Sequence, residues 1–127
     1  MLKGKRKKPT AKVKPKPATA NQITTAAINW LCFNGFNAWR NNNGAVYDPK
    51  KQCFRKSKNH KLGVPDIIGY EKGTGRALYI EVKAGRDSLR PEQKSFLSEA
   101  EKGGAIVGVI HASEEIETII NRYRLAA

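Results

Sequence analysis

The sequence holds no acidic residue before Asp48. Over the whole chain, Asp and Glu number 11 against 24 Lys and Arg, a formal net charge of +13 in 127 residues. A shortage of negative charge on that scale argues against a neutral metabolic enzyme and for a polyanionic partner. Cysteine is equally scarce. Cys32 and Cys53 are too few for a disulfide framework and read as two reduced thiols of an intracellular protein. Unbroken apolar runs span only a few residues, so neither a transmembrane helix nor a membrane partner is expected. The charged start at Lys3 is followed by no apolar segment of the secretory kind, so no export signal is expected either. No internal repeat is visible.

What is present is unevenly placed. Residues 1–20 carry eight Lys/Arg and three Pro and too little apolar surface to fold alone, so they read as a disordered basic arm. Residues 21–127 then form one domain, within the usual size range. Setting the arm's eight basic residues aside leaves 16 against 11 acids, a net +5. Most of the excess is therefore arm. A second basic run, Lys50, Lys51, Arg55, Lys56, Lys58 and Lys61, has no acid inside it and offers itself to phosphates.

Residues 22–38 have helical spacing, with Ile23, Ala27, Trp30, Leu31 and Phe33 along one broad face and Asn34-Gly35 as a stop. Cys32 packs in the core beside Leu31 on this reading. Phe36–Arg40 is a short extended piece, and Asn41-Asn42-Asn43-Gly44 is turn chemistry. Residues 45–63 read as an irregular basic loop with a short strand around 45–47. Asp66–Glu71 and Ala77–Lys83 are strands joined by a glycine turn. In the second of them Leu78, Ile80 and Val82 point one way and Tyr79, Glu81 and Lys83 the other. A helix starts near Pro91, with Glu92 in its first turn, and ends at Gly103-Gly104. Ala105–Ile110 fits a strand buried on both faces. Ser113 caps a last helix whose buried face is Ile116, Ile119, Ile120 and Tyr123. The order is helix, two or three strands, helix, strand, helix, an α/β arrangement in which a mixed sheet is covered by helices.

Three charged positions interrupt apolar surroundings. Asp66 opens one strand; Glu81 and Lys83 share a face of the next. Burying such groups is costly unless they are paired or bound to metal. Alone, Glu81-Val82-Lys83 reads as a cross-strand ion pair at a sheet edge. With Asp66 brought alongside by the hairpin, two carboxylates suit a hard divalent cation such as Mg²⁺, with the Val82 carbonyl as a further oxygen ligand. Lys83 then lies near the attacking water or a nonbridging phosphate oxygen, as phosphodiester hydrolysis requires. Gln93 falls on the inward stripe of its helix, three before Phe96. There it can hydrogen-bond a metal-bound water or hold Lys83, or it is simply a polar residue at the stripe's edge.

Gly63-Val64-Pro65-Asp66, then Glu81-Val82-Lys83, then Arg90-Pro91-Glu92-Gln93 resembles the VRR-NUC branch of the PD-(D/E)XK nuclease superfamily. The small stand-alone members of phage and bacteria are the nearest kind. Trp39-Arg40-Asn41-Asn42-Asn43-Gly44 and Gly103-Gly104-Ala105 are similar to that branch too, and the likeness spans about residues 22–124. It implies a restriction-endonuclease-like fold, a central mixed β-sheet flanked by helices in the order αβββαβα. It also implies a metal-dependent DNA endonuclease using Mg²⁺ or Mn²⁺ on branched or four-way junction DNA in repair or recombination, and a homodimer. The location would be cytoplasmic and DNA-associated in a bacterium or phage. By the same resemblance Asp66 and Glu81 are metal ligands, Lys83 is catalytic, Gln93 is the active-site helix residue, and Arg40 approaches the substrate backbone or the site rim. The chain departs from the pattern in one respect. Relatives often carry a Glu on the first helix, where this chain has no carboxylate and offers Gln22 or Asn21.

That departure keeps a second reading in view, a nucleic-acid-binding module on the same fold with weakened catalysis. A zinc site built from Cys32, Cys53, His60 and His111 is disfavoured, because none of these pairs has the close spacing such sites use. Trp30 and Tyr123 read as core. Phe54, set among basic residues, is a candidate for base stacking.

Overall fold

The computed structural model describes residues 15–126 except 43–45 and 56–60. In chain order the elements are α1 (Ala20–Phe33), β1 (Phe36–Arg40), β2 (Val46–Asp48), β3 (Cys53–Arg55), β4 (Ile67–Glu71), β5 (Ala77–Val82), α2 (Pro91–Lys102), β6 (Ile106–Ile110) and α3 (Glu115–Leu125). The main sheet runs β1-β4-β5-β6. β1, β4 and β5 are antiparallel neighbours; β6 returns through α2 to lie parallel to β5. Leaving out the β2–β3 hairpin, the order is the αβββαβα that the sequence implies.

The two faces of the sheet are covered differently. Ile23, Ala27 and Leu31 of α1, with Ile116 and Ile120 of α3, pack on Phe36, Ile67, Leu78, Ile80 and Ile110. On the opposite face, Leu97 of α2 meets Ala105 and Val107, and Phe96 stands edge-on to Tyr79 at 5.0 Å. The alternation along β5 is therefore sorted as its sequence predicts. Trp30 and Tyr123 flank the first core, half-buried.

Several local expectations are corrected. Phe33 is 92% exposed, because it lies two residues and about 200° around the helix from Leu31. Cys32 is exposed rather than packed in the core, and its thiol sits 3.5 Å from the Ala38 carbonyl. Residues 45–63 are not wholly irregular, since β2 and β3 pair antiparallel as a separate two-stranded sheet. Ser113 does not cap α3. Glu114 stands at the cap without a side-chain bond, and the Glu115 carboxylate instead accepts the His111 and Ala112 amides. α1 begins with a capping box. The Thr19 hydroxyl accepts the Gln22 amide, and the Gln22 side chain accepts the Thr19 amide. Of the basic arm, residues 1–14 lie outside the described residues; 15–19 are exposed and carry no regular structure.

Candidate active site

The β4–β5 hairpin builds the centre of the site. Ile67 pairs with Ile80, and continuing that antiparallel register sets Asp66 opposite Glu81. Asp66 is fixed from two sides. Its Oδ2 accepts the Val82 amide at 2.9 Å, and its carbonyl accepts the Asn41 amide at 2.7 Å, tying it to the end of β1. The preceding Gly63 is there for lack of a side chain. Its φ is +79°, and a Cβ would run into the backbone carbonyl of Glu92 in the first turn of α2. The segment leading into Asp66 thus packs directly on the helix that carries Gln93.

Glu81, Lys83 and Gln93 are all buried, with 3%, 3% and 8% exposure. The Gln93 amide nitrogen donates to Glu81 Oε1 at 3.4 Å, while its oxygen accepts the Arg90 amide at 3.0 Å. Gln93 therefore couples the start of α2 to Glu81, rather than being a spectator at the stripe's edge. Lys83 Nζ lies 3.9 Å from Glu81 Oε1 and 3.6 Å from Asp87 Oδ2. Glu81 Oε2 is buried and, among the described residues, accepts no hydrogen bond. Burial first, and then the neighbouring Asp66 carboxyl, push the Glu81 carboxyl up to about 8, against the lowering pull of Lys83 and Arg90.

These groups face a polar cleft of about 340 Å³. Asn21 and Thr24 of α1 form one wall, Arg40 another, and Asp87 and Arg90 the side toward α2. Of the two candidates on the first helix it is Asn21 that reaches the cleft; Gln22 is taken by the cap. Arg40 donates to Thr25 Oγ1 at 3.3 Å, which leans it against α1. A larger cavity of about 600 Å³ lies between β6 and α3, and neither Asp66 nor Glu81 lines it.

The orphaned Glu81 oxygen, the facing Asp66 and their hard oxygen character fit a divalent cation completed by water. The protein's own share is small. Among the described residues, no group of three or more His, Cys, Asp or Glu is placed to hold a metal.

Of the remaining predicted residues, the described ones do not line this cleft. Lys50 and Lys51 sit in the β2–β3 turn, and Arg55 on β3 lies 3.6 Å from Asp48, an acid just ahead of the basic run. Lys61 is beside Phe96 and Glu99 of α2. Lys56 and Lys58 lie outside the described residues. Sequence reasoning missed Asp87 and read Arg90 only as part of the Arg90-Pro91-Glu92-Gln93 motif, with no role of its own. Arg90 carried a signal: it is the N-cap of α2, where the helix dipole disfavours a cation and Ser, Thr, Asp or Asn is the usual choice.

Among known proteins, the family model of the VRR-NUC domain matches residues 23–114. A solved "VRR_NUC domain" structure superposes with a TM-score of 0.60 at 19% identity, covering 84% of this chain and 99% of that one. A second, a "VRR_NUC domain protein", gives 0.56 at 20% identity over 88% and 93%. At such identities the structures speak for the fold. No curated protein matches the chain.

Proposed function

Since the chain belongs to the VRR-NUC domain family, a branch of the PD-(D/E)XK nucleases, we propose that it is a divalent-metal-dependent DNA endonuclease selective for branched or four-way junction DNA. The observation that carries this reading is the buried Glu81 carboxyl, opposite Asp66, with one oxygen that accepts no hydrogen bond among the described residues. Asp66 and Glu81 would hold the cation, with the Val82 carbonyl as a further ligand. When bound, Mg²⁺ or Mn²⁺ would supply Lewis acidity to the scissile phosphate and acidify water.

The chain's own groups do the rest. Lys83, anchored between Glu81 and Asp87, orients the attacking water or stabilises charge on a nonbridging oxygen. Gln93 keeps the Glu81 carboxyl turned toward the cleft. Arg40 and Arg90, which both line the cleft, offer guanidinium groups to the substrate phosphates. Lys50, Lys51, Arg55, Lys56, Lys58 and Lys61 add sequence-independent affinity. The branched substrate and a homodimeric state rest on the family resemblance, and such a substrate places the protein with DNA inside the cell. No helix among the described residues is long and apolar enough to cross a membrane.

A second reading, a binding module with weakened catalysis, is favoured by Asn21 standing where relatives often carry a carboxylate. Incubation with linear duplex, flap and four-way junction DNA in Mg²⁺, Mn²⁺ or EDTA separates the two. The endonuclease cuts only with the divalent ion, and cuts junctions fastest. Binding without cleavage in either metal assigns the module.

A further inference from the structure

Among the described residues, the β2–β3 hairpin contributes none to either hydrophobic core. Each strand has three residues, and a two-stranded hairpin of that size is marginal in water. Yet it carries a facing aromatic pair. Tyr47 and Phe54 are direct cross-strand partners, their rings edge-to-face at 5.3 Å, and they are 53% and 70% exposed. Such a pair steadies the hairpin but leaves large π-surface in water. Around it the charge is positive. Lys50 and Lys51 are exposed in the turn, and Arg55 is on β3. The hairpin's acid, Asp48, is committed internally. Its Oδ1 accepts the Lys50 and Lys51 amides, and its Oδ2 faces Arg55.

Exposed aromatic faces beside exposed lysines match the chemistry of a nucleic acid strand, flat bases strung on phosphates. They match a second copy of this chain poorly, because two such hairpins would bring four lysines together. We propose that the hairpin is a base-stacking platform. Tyr47 and Phe54 take unpaired bases, and Lys50 and Lys51 hold the flanking phosphates. An intact duplex buries its base faces, so the platform engages only where strands are open, at single-stranded arms and branch points. The proposal rests on the reading of DNA as substrate, and it supplies a physical source for preferring branched forms.

The test is fluorescence anisotropy in EDTA, so that cleavage plays no part, with a single strand, a splayed-arm substrate and a blunt duplex of equal length. Relative to the wild type, Tyr47→Ala/Phe54→Ala should weaken binding of the single strand and the splayed arm by roughly tenfold or more, the size of one lost base–aromatic stack. Duplex affinity should change by no more than about twofold. Phe54→Trp should bind the single strand like the wild type, and its added tryptophan emission should be quenched on binding. Equal loss on all three substrates, no loss on any, or a fall in molecular mass by light scattering for the double variant overturns the platform; the last reassigns the hairpin as a contact between copies. Absence of metal-dependent cleavage in a separate assay would defeat the nuclease reading and leave this result standing.

Discussion

Asp66 and Glu81 face each other across the β4–β5 hairpin, and the Val82 amide, 2.9 Å from Asp66 Oδ2, holds one carboxyl toward the other. Two carboxyls in that relation cannot both stay charged cheaply without a cation between them. In the metal-free protein the strain falls on Glu81, which is the more buried.

The first expectation follows from its proton. The Glu81 carboxyl titrates near 4.5 when unperturbed and at about 8 in the fold, so the folded state keeps a proton that the unfolded state loses. That contribution to stability is full below about pH 4.5 and disappears as pH rises through 8. In EDTA the Tm should therefore fall between those limits, and Glu81→Gln should flatten the fall. Mg²⁺ should raise the Tm of the wild type at pH 8 and leave that of Glu81→Gln unchanged. A parallel pH dependence in both proteins would contradict this.

The second concerns Lys83. Lys83→Met keeps the stem and removes the charge that Glu81 and Asp87 share. The cleavage rate should drop by ~10²-fold or more, the scale of one lost preorganised donor. DNA affinity should move little. A preserved rate with a lowered Tm would make Lys83 a structural partner of Glu81.

The third concerns Gly63. Gly63→Ala adds strain at a φ of +79° and pushes a methyl group against the Glu92 carbonyl. Loss of ~1 kcal/mol or more is expected in urea denaturation. Cleavage should suffer beyond the stability loss, because the start of α2 positions Gln93. Wild-type stability would show that the loop packs differently against α2.

The fourth concerns the arm. Deleting residues 1–14 removes seven Lys/Arg and should leave Tm unchanged. It should also flatten the salt dependence of DNA binding, by ~0.9 in log–log slope per phosphate no longer contacted. Deleting residues 1–20 also removes the Thr19 cap of α1, at a further cost of ~1 kcal/mol. An unchanged salt slope would show that the arm serves another partner.

The centre of this site was legible because its signals are local. Strict alternation in 77–83 sets Glu81 and Lys83 on one face, and a single tight turn brings Asp66 to them. Gln93 was legible from helical spacing. What stayed hidden depends on choices that spacing does not decide. The sequence could not separate Asn21 from Gln22, since the choice turns on which side chain closes the capping box. A short strand around 45–47 was legible and is β2, but β3 and its pairing escaped, because the strand has three residues and the turn uses Gln52, at a φ of 50°, where Asn or Gly would have announced it. Cys32 and Phe33 were misplaced by reading the apolar face too broadly: among the apolar residues of α1, Ile23, Ala27 and Leu31 are buried and Ile28 and Trp30 pack at the core's edge, while Cys32 and Phe33 are exposed. Asp87 escaped because a loop carboxylate finds Lys83 only after the chain turns toward α2.

The most direct measurement is the initial rate of four-way junction cleavage as a function of Mg²⁺ concentration, for the wild type and Glu81→Gln, with junction binding measured in EDTA for both. The wild type should show saturable Mg²⁺-dependent cleavage and none in EDTA. Glu81→Gln should bind the junction and fail to cut it at any Mg²⁺ concentration. Cleavage by Glu81→Gln at the wild-type rate, or none by the wild type across the titration, would contradict the account.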